Sequence, residues 1–181
     1  MTLVIGLSGR IGSGKGTAAE YLEKRYKAKV LVFSDILNDI LDRLGIPITR
    51  YSLQQLGKSL RTGLGRDVIV NAMKADIERS RAKVLLIDGV RFRNEAKMVK
   101  DFPKSALIFV DVPVQIRYKR SLKRGSRGEA ELSFEEFERL DNAPTESELD
   151  FVKREANFVV KNAYDKKALF KELDEIMKKL V

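Results

Sequence analysis

Gly9-Arg10-Ile11-Gly12-Ser13-Gly14-Lys15-Gly16-Thr17 follows directly on the apolar run Leu3-Val4-Ile5-Gly6-Leu7. The apolar run reads as a strand and Lys15–Tyr26 carries helical periodicity, so the glycines stand at a strand-to-helix turn. In that position backbone N–H groups curl around a polyphosphate at the open end of a helix, and a lysine reaches its outer oxygens. Gly9, Gly12, Ser13, Gly14, Lys15, Gly16 and Thr17 are therefore candidate phosphate contacts. The commonest form of this motif has a hydroxyl immediately after the lysine. Here Gly16 takes that place and Thr17 comes one residue later.

Working outward, short apolar runs recur at Leu3–Leu7, Lys29–Phe33, Val84–Ile87, Ala106–Val110 and Asn157–Val160. They are short, rich in β-branched residues and apolar on both faces, as strands of a covered parallel sheet are. The expectation is an α/β fold: one domain over 1–181, a five-stranded parallel sheet flanked by helices. Helical patterns at Ile36–Leu44, Leu53–Arg61 and Asp67–Arg79 fill a stretch too long for one simple crossover. Residues 36–80 are thus expected to be a helical insert at the sheet edge. Pro113–Lys123, Phe134–Leu140, Glu146–Glu155 and Lys166–Leu180 read as further helices. The Gly- and charge-rich residues 125–132 suit a small lid, and 117–132 are taken as the lid region.

Composition narrows the chemistry. The chain has 181 residues and a formal charge of +9, with 35 basic residues beside 26 acidic ones. Both signs are spread along the sequence, and no basic run is interleaved with aromatics. That distribution argues against nucleic acid as the main substrate. It suits a pocket for polyanionic small molecules plus a Lys-rich, solvated C-terminal helix. There is no Cys and no His, which excludes disulfides, thiolate or imidazole catalysis and the usual Cys/His zinc sites. An oxygen-ligated Mg²⁺ stays open. No signal peptide or membrane-length apolar stretch is read, so a soluble cytoplasmic protein is expected.

Val84-Leu85-Leu86-Ile87-Asp88 is an apolar strand ending in a carboxylate. Beside a phosphate loop, Asp88 is placed to hold Mg²⁺, with Thr17 as a second metal candidate. The following Gly89-Val90-Arg91 puts a guanidinium at the carboxyl end of a strand, where ligands bind in open α/β sheets. Arg91 is the leading candidate for an acceptor phosphate, which arginine grips with two parallel hydrogen bonds. Arg93 is read as a functional candidate, a surface residue or a partner of Glu95. Ser34-Asp35 is expected to end the second strand and face the same cleft. Asp35 then orients an attacking hydroxyl, binds the acceptor or caps the next helix. Arg61 and Arg66 flank the turn Thr62-Gly63-Leu64-Gly65 and suit closure over an anionic acceptor, solvated helix ends being the alternative. Asp67 is expected to cap the following helix.

Arg117, Arg120 and Arg124 share one helix face by their spacing of three and four. Three like charges there call for an anion between them. Arg127 lies in the loop beyond. After the last strand, Asn162 and Tyr164 are candidates for a contact to the donor base, packing being the other reading for Tyr164. No Asn-Lys-x-Asp guanine pattern occurs, which favours ATP over GTP.

The chain resembles the P-loop nucleoside-monophosphate kinases. Gly14-Lys15-Gly16-Thr17 looks like the end of their phosphate loop, as in adenylate kinases. Asp88-Gly89-Val90-Arg91 looks like their Asp-Gly-Phe-Pro-Arg segment, without the proline and one residue shorter. Gly9–Lys15, Asp35 and Ala156-Asn157-Phe158-Val159-Val160-Lys161-Asn162 also resemble dephospho-coenzyme A kinases and small archaeal adenylate-kinase-related proteins. In that segment Asn157 stands where aspartate is usual. The resemblance implies the P-loop kinase fold, with ATP and Mg²⁺ as cofactors and a small anionic nucleotide-like acceptor. It implies phosphate contacts from Gly12, Gly14, Lys15, Gly16 and Thr17, an acceptor contact from Arg91 and lid contacts from Arg120 and Arg124. Catalytic roles then fall to Lys15, Asp35, Arg91, Arg120 and Arg124. A nucleoside monophosphate is the preferred acceptor and the sugar hydroxyl of dephospho-coenzyme A the alternative. A nucleotide-dependent switch or nucleic-acid-associated ATPase is the reading from another class.

Overall fold

Five apolar runs become strands: β1 (Leu3–Ser8), β2 (Lys29–Val32), β3 (Val84–Asp88), β4 (Ser105–Asp111) and β5 (Phe158–Lys161). In this computed structural model, which describes residues 1–124 and 132–181, they pair in the order β2-β3-β1-β4-β5. Every pairing is parallel. β1 lies at the centre, between β3 and β4, and all six of its residues are buried.

The strands read as continuous apolar runs because both faces are covered. Side chains alternate across the sheet. Val4, Leu85, Ile87, Leu107 and Phe109 join one apolar core, whereas Leu3, Ile5, Leu7, Leu86, Ile108 and Val110 join the other. Helices α1 (Lys15–Tyr26) and α9 (Lys166–Leu180) cover the second face with Ala18, Leu22, Leu169, Leu173 and Met177. The first face is covered by α2 (Phe33–Arg43), α4 (Val68–Arg79), α5 (Arg93–Lys100) and α8 (Leu149–Glu155). Also present are α3 (Arg50–Leu64), α6 (Val114–Arg124), α7 (Phe134–Asp141) and a 3-10 turn at Pro144–Glu146.

Two sequence expectations need correction. Residues 36–80 do not form one peripheral insert. α4 buries Ile69, Val70, Met73 and Ile77 against the sheet and so belongs to the body. α3, started by the Thr49–Ser52 capping box, buries only Gly57 and is the peripheral piece. Second, β2 stops at Val32, and Asp35 stands in the first turn of α2 rather than at a strand end. The cause is Phe33, which drops into the core and starts the helix with no linker. α5 stands where the sequence reading assigned no element, because it carries no apolar run that would reveal it. Its helix is fixed by burial of Ala96, Met98 and Val99 and by the buried Glu95 at its N-terminus.

Candidate phosphate-loop site

The loop 9–17 lines one wall of a cleft of about 440 Å³ at the carboxyl edge of the sheet. Gly12 and Gly14 sit at φ 76° and 88°, in the left-handed region that glycine adopts without strain. At Gly12 a Cβ would also fall 2.6 Å from the Arg117 carbonyl oxygen. Gly14 is the N-cap residue of α1, which has no acidic residue in its first turn. The positive end of that helix is thus left open toward the cleft. Lys15 Nζ lies 2.8 Å from Asp88 Oδ1, so the loop lysine and the carboxylate ending β3 meet across two adjacent strands. Thr17 lines the cleft as well. Among the described residues no group of three or more Asp or Glu gathers into a metal cage. One carboxylate and a hydroxyl beside a phosphate site is nevertheless a donor set that suits Mg²⁺, which keeps several waters and shares itself with substrate phosphates.

Arg50, Arg91 and Glu146 also line the cleft. Arg91 Nη1 is 2.9 Å from the buried Glu146 carboxylate. Burial pushes that carboxyl up, against the pull of Arg91. Arg120 and Ser121 enter the cleft from α6. The Ser13 and Ser121 hydroxyls are buried, line the cleft and have no hydrogen-bond partner among the described residues.

Several predicted residues stand elsewhere. Arg61 Nη2 faces Glu95 at 3.7 Å and its guanidinium stacks on Phe92 at 4.5 Å. Arg66, with a side chain 84% exposed, reaches Glu148 at 3.5 Å. Neither lines the cleft. Asp35 is exposed, accepts from Asn38 Nδ2 at 3.2 Å, and neither caps α2 nor lines the cleft. Asp67 occupies the N-cap of α4 without capping it, because Asn94 Nδ2 holds its carboxylate at 2.7 Å. Arg93 stacks on Phe151 at 4.2 Å and does not pair with Glu95. Glu95 Oε2 instead accepts from the backbone N–H groups of Arg91 and Phe92.

The arginine face on α6 divides. Arg117 is buried, and its guanidinium pairs with Asp141 through two contacts, at 2.5 and 2.8 Å. The expectation of three charges around one anion fails for Arg117 because a carboxylate from α7 already meets it. Arg117 and Ser121 are part of the packed body, so a movable lid does not begin at residue 117. Arg120 does reach the cleft, with Nη2 3.3 Å from the Tyr164 carbonyl oxygen. The Arg124 side chain and Arg127 lie outside the described residues. Asn162 turns inward: it is buried and its Nδ2 donates to the Ser13 carbonyl at 2.8 Å. Tyr164 is exposed.

Sequence reading missed Arg50, Glu146, Ser121 and the structural role of Arg10. Arg10 Nη1 donates to the Asp141 carbonyl and Nη2 to Asp150, each at 2.9 Å. The capping signal of Thr49 marks where α3 begins, next to Arg50, but nothing local to Glu146 marks it.

The pattern of the AAA domain family matches residues 8–138, well over half of the chain. A UPF0200 protein of Methanoculleus marisnigri is 33% identical over 139 residues, covering 76% of this chain and 75% of that protein. The fold is shared with the crystal structure of TT1252 from Thermus thermophilus, at TM-score 0.64 and 22% identity, over 99% of this chain and 98% of that one. It is shared too with a shikimate kinase from Acinetobacter baumannii solved in complex with shikimate, at TM-score 0.60 and 14% identity, over 99% and 94%. The sheet order and the loop after β1 thus belong to a P-loop, kinase-like architecture. By sequence, the chain belongs to the AAA domain family and groups with the UPF0200 proteins.

Proposed function

We propose that this protein is a kinase that transfers the γ-phosphoryl group of ATP to a nucleoside or deoxynucleoside monophosphate. The observation that carries this reading is a cleft lined by the loop with Lys15 and by Arg50, Arg91 and Arg120, its lysine paired with Asp88 at the end of β3, just behind the lining. Loop amides and Lys15 hold the β/γ-phosphates. Asp88 and Thr17 would hold Mg²⁺, which neutralises phosphate charge when bound. Arg91, with Arg50 rather than Arg61 or Arg66, grips the acceptor's anion. Arg120 contributes positive charge over the transferring group, the kind of electrostatic positioning that dominates phosphoryl transfer. Arg124 is proposed for the same role on the strength of its place at the end of α6.

The acceptor preference rests on Asp35. A phosphate oxygen is already ionised near neutral pH and needs no general base, whereas a sugar hydroxyl needs one. Asp35 is exposed, engaged with Asn38 and outside the cleft lining. That placement supports the phosphate acceptor over the hydroxyl of dephospho-coenzyme A.

The test is Mg²⁺-dependent transfer from γ-labelled ATP to a panel of nucleoside monophosphates and dephospho-coenzyme A. Label is expected in a monophosphate, with Asp35→Asn costing less than about 3-fold. A loss of ~10²-fold or more in Asp35→Asn with an intact fold would favour hydroxyl phosphorylation. Label released only as free phosphate would shift the reading to a nucleotide-dependent switch.

A further inference from the structure

A phosphate loop works only if its N–H groups point at the anion, and each peptide plane is rigid. With a trans peptide, pinning the carbonyl of one residue outward aims the N–H of the next inward. Two carbonyls of this loop are pinned by side chains from far along the chain. Arg117 Nη1 donates to the Ile11 carbonyl at 3.0 Å, and Asn162 Nδ2 donates to the Ser13 carbonyl at 2.8 Å. The N–H groups that share those planes belong to Gly12 and Gly14. Both glycines line the cleft, and neither N–H donates to a backbone carbonyl among the described residues.

We propose that Arg117, clamped by Asp141, and Asn162 are positioning residues that set the 11–12 and 13–14 peptide planes and hence the anion-binding geometry of the loop. This rests on reading residues 9–17 as a polyphosphate site, not on the identity of nucleotide or acceptor. Both side chains are buried, at 4% and 6% exposure. A buried guanidinium is tolerated when every donor is met. Arg117 comes close to that condition: Nε donates to the Val112 carbonyl at 3.0 Å, Nη1 to the Ile11 carbonyl and to Asp141 Oδ1, and Nη2 to Asp141 Oδ2. The loop is seated on the helix backbone itself, since no atom fits between Gly12 and the Arg117 carbonyl. At Gly14, a Cβ would overlap the Asn162 amide. The glycines are thus required both by the loop's conformation and by the closeness of its braces.

If Arg117 and Asp141 only staple α6 to α7, removing them alters stability and nothing else. Two variants separate these roles. Arg117→Met combined with Asp141→Leu exchanges the buried pair for apolar groups of similar volume, a change that folded proteins often accept. Asn162→Ala removes the second brace. The probe is inorganic tripolyphosphate, titrated calorimetrically well below each variant's melting midpoint, with hydrogen exchange of the 10–16 amides in its presence. The expected result is a Kd at least ~10-fold higher for each variant, the loss of roughly one net hydrogen bond, with reduced protection of those amides. Wild-type affinity and protection in either folded variant would overturn the proposal. Should the double variant fail to fold, Asn162→Ala decides by the same two readouts. A wild-type protein that does not bind tripolyphosphate also overturns it. Weakened tripolyphosphate binding in the variants, together with no label transfer by wild type to any acceptor, leaves this inference standing and removes the kinase reading.

Discussion

The two parts of the cleft lining are built on different principles. The loop is held from behind: its outward carbonyls are taken by Arg117 and Asn162, and its lysine rests on Asp88. The other part of the lining holds an arginine–glutamate pair, Arg91–Glu146, with Arg61–Glu95 and Arg66–Glu148 outside the cleft. A braced loop suits a ligand whose shape never changes, the polyphosphate common to all nucleoside triphosphates. In the cleft pair the guanidinium side chain of Arg91 is 40% exposed while Glu146 is buried, so an anion that recruits Arg91 must offset the loss of a partner to a buried carboxylate. The ion-paired part of the lining is where acceptor selectivity is expected to reside.

The largest effect should come from the braced loop. Lys15→Ala should lower phosphoryl transfer roughly 10²–10³-fold, the cost of one removed charge-stabilising donor, while melting near wild type. Rate and melting midpoint measured together check this, and a drop below ~10-fold would place the electrostatic work elsewhere. In the other part of the lining, Arg91→Ala should raise the acceptor KM about 10–100-fold, as loss of hydrogen bonds to a charged group does. The Kd for ATP should stay within about 2-fold. Equal weakening of ATP and acceptor would erase the distinction between the two parts.

Glu95 gives a smaller, pH-dependent effect. Burial pushes its carboxyl up to about 7, against the backbone N–H groups of Arg91 and Phe92 and the charges of Arg61 and Arg91. The folded protein therefore holds a proton there that the unfolded chain has already released. The contribution is complete below the ordinary value of 4.5 and is lost as pH rises through about 7. Wild-type stability should fall between about pH 4.5 and 7 by up to ~1.4 kcal/mol per pH unit from this group. Glu95→Gln should flatten that slope in thermal melts, and an unchanged slope would assign the pH dependence to other groups. The smallest effect belongs to Arg66→Ala. Its exposed pair with Glu148 is worth about 0–1 kcal/mol, and the acceptor KM should move less than about 3-fold in steady-state assays.

Local chemistry wrote much of this into the chain. The apolar runs located the strands to within a residue or two, since a covered parallel strand needs apolar side chains on both faces. The glycine spacing located the loop because only glycine takes the left-handed turns at 12 and 14. The place of Asp88 at the end of β3, and of Arg91 just beyond it, was legible from the apolar run before them. α5 and Glu146 were not, because burial that arises from distant packing leaves no local pattern. The α6 arginines show the limit most clearly: spacing placed Arg117 and Arg120 near one another, yet one lies under the loop and the other enters the cleft.

The sequence by itself determined the α/β architecture, the phosphate loop and the pairing of that loop with a carboxylate at the end of a neighbouring strand. Each depends on residues adjacent in the chain or on the repeat of one element. Tertiary structure alone decided which charges are spent on the protein and which face the cleft. Arg117 meets Asp141 across 24 residues, Asn162 meets Ser13 across 149, and Arg61 meets Glu95 instead of the cleft. A side chain's periodicity says which face of its helix it occupies; what that face meets is set by packing between elements far apart in sequence.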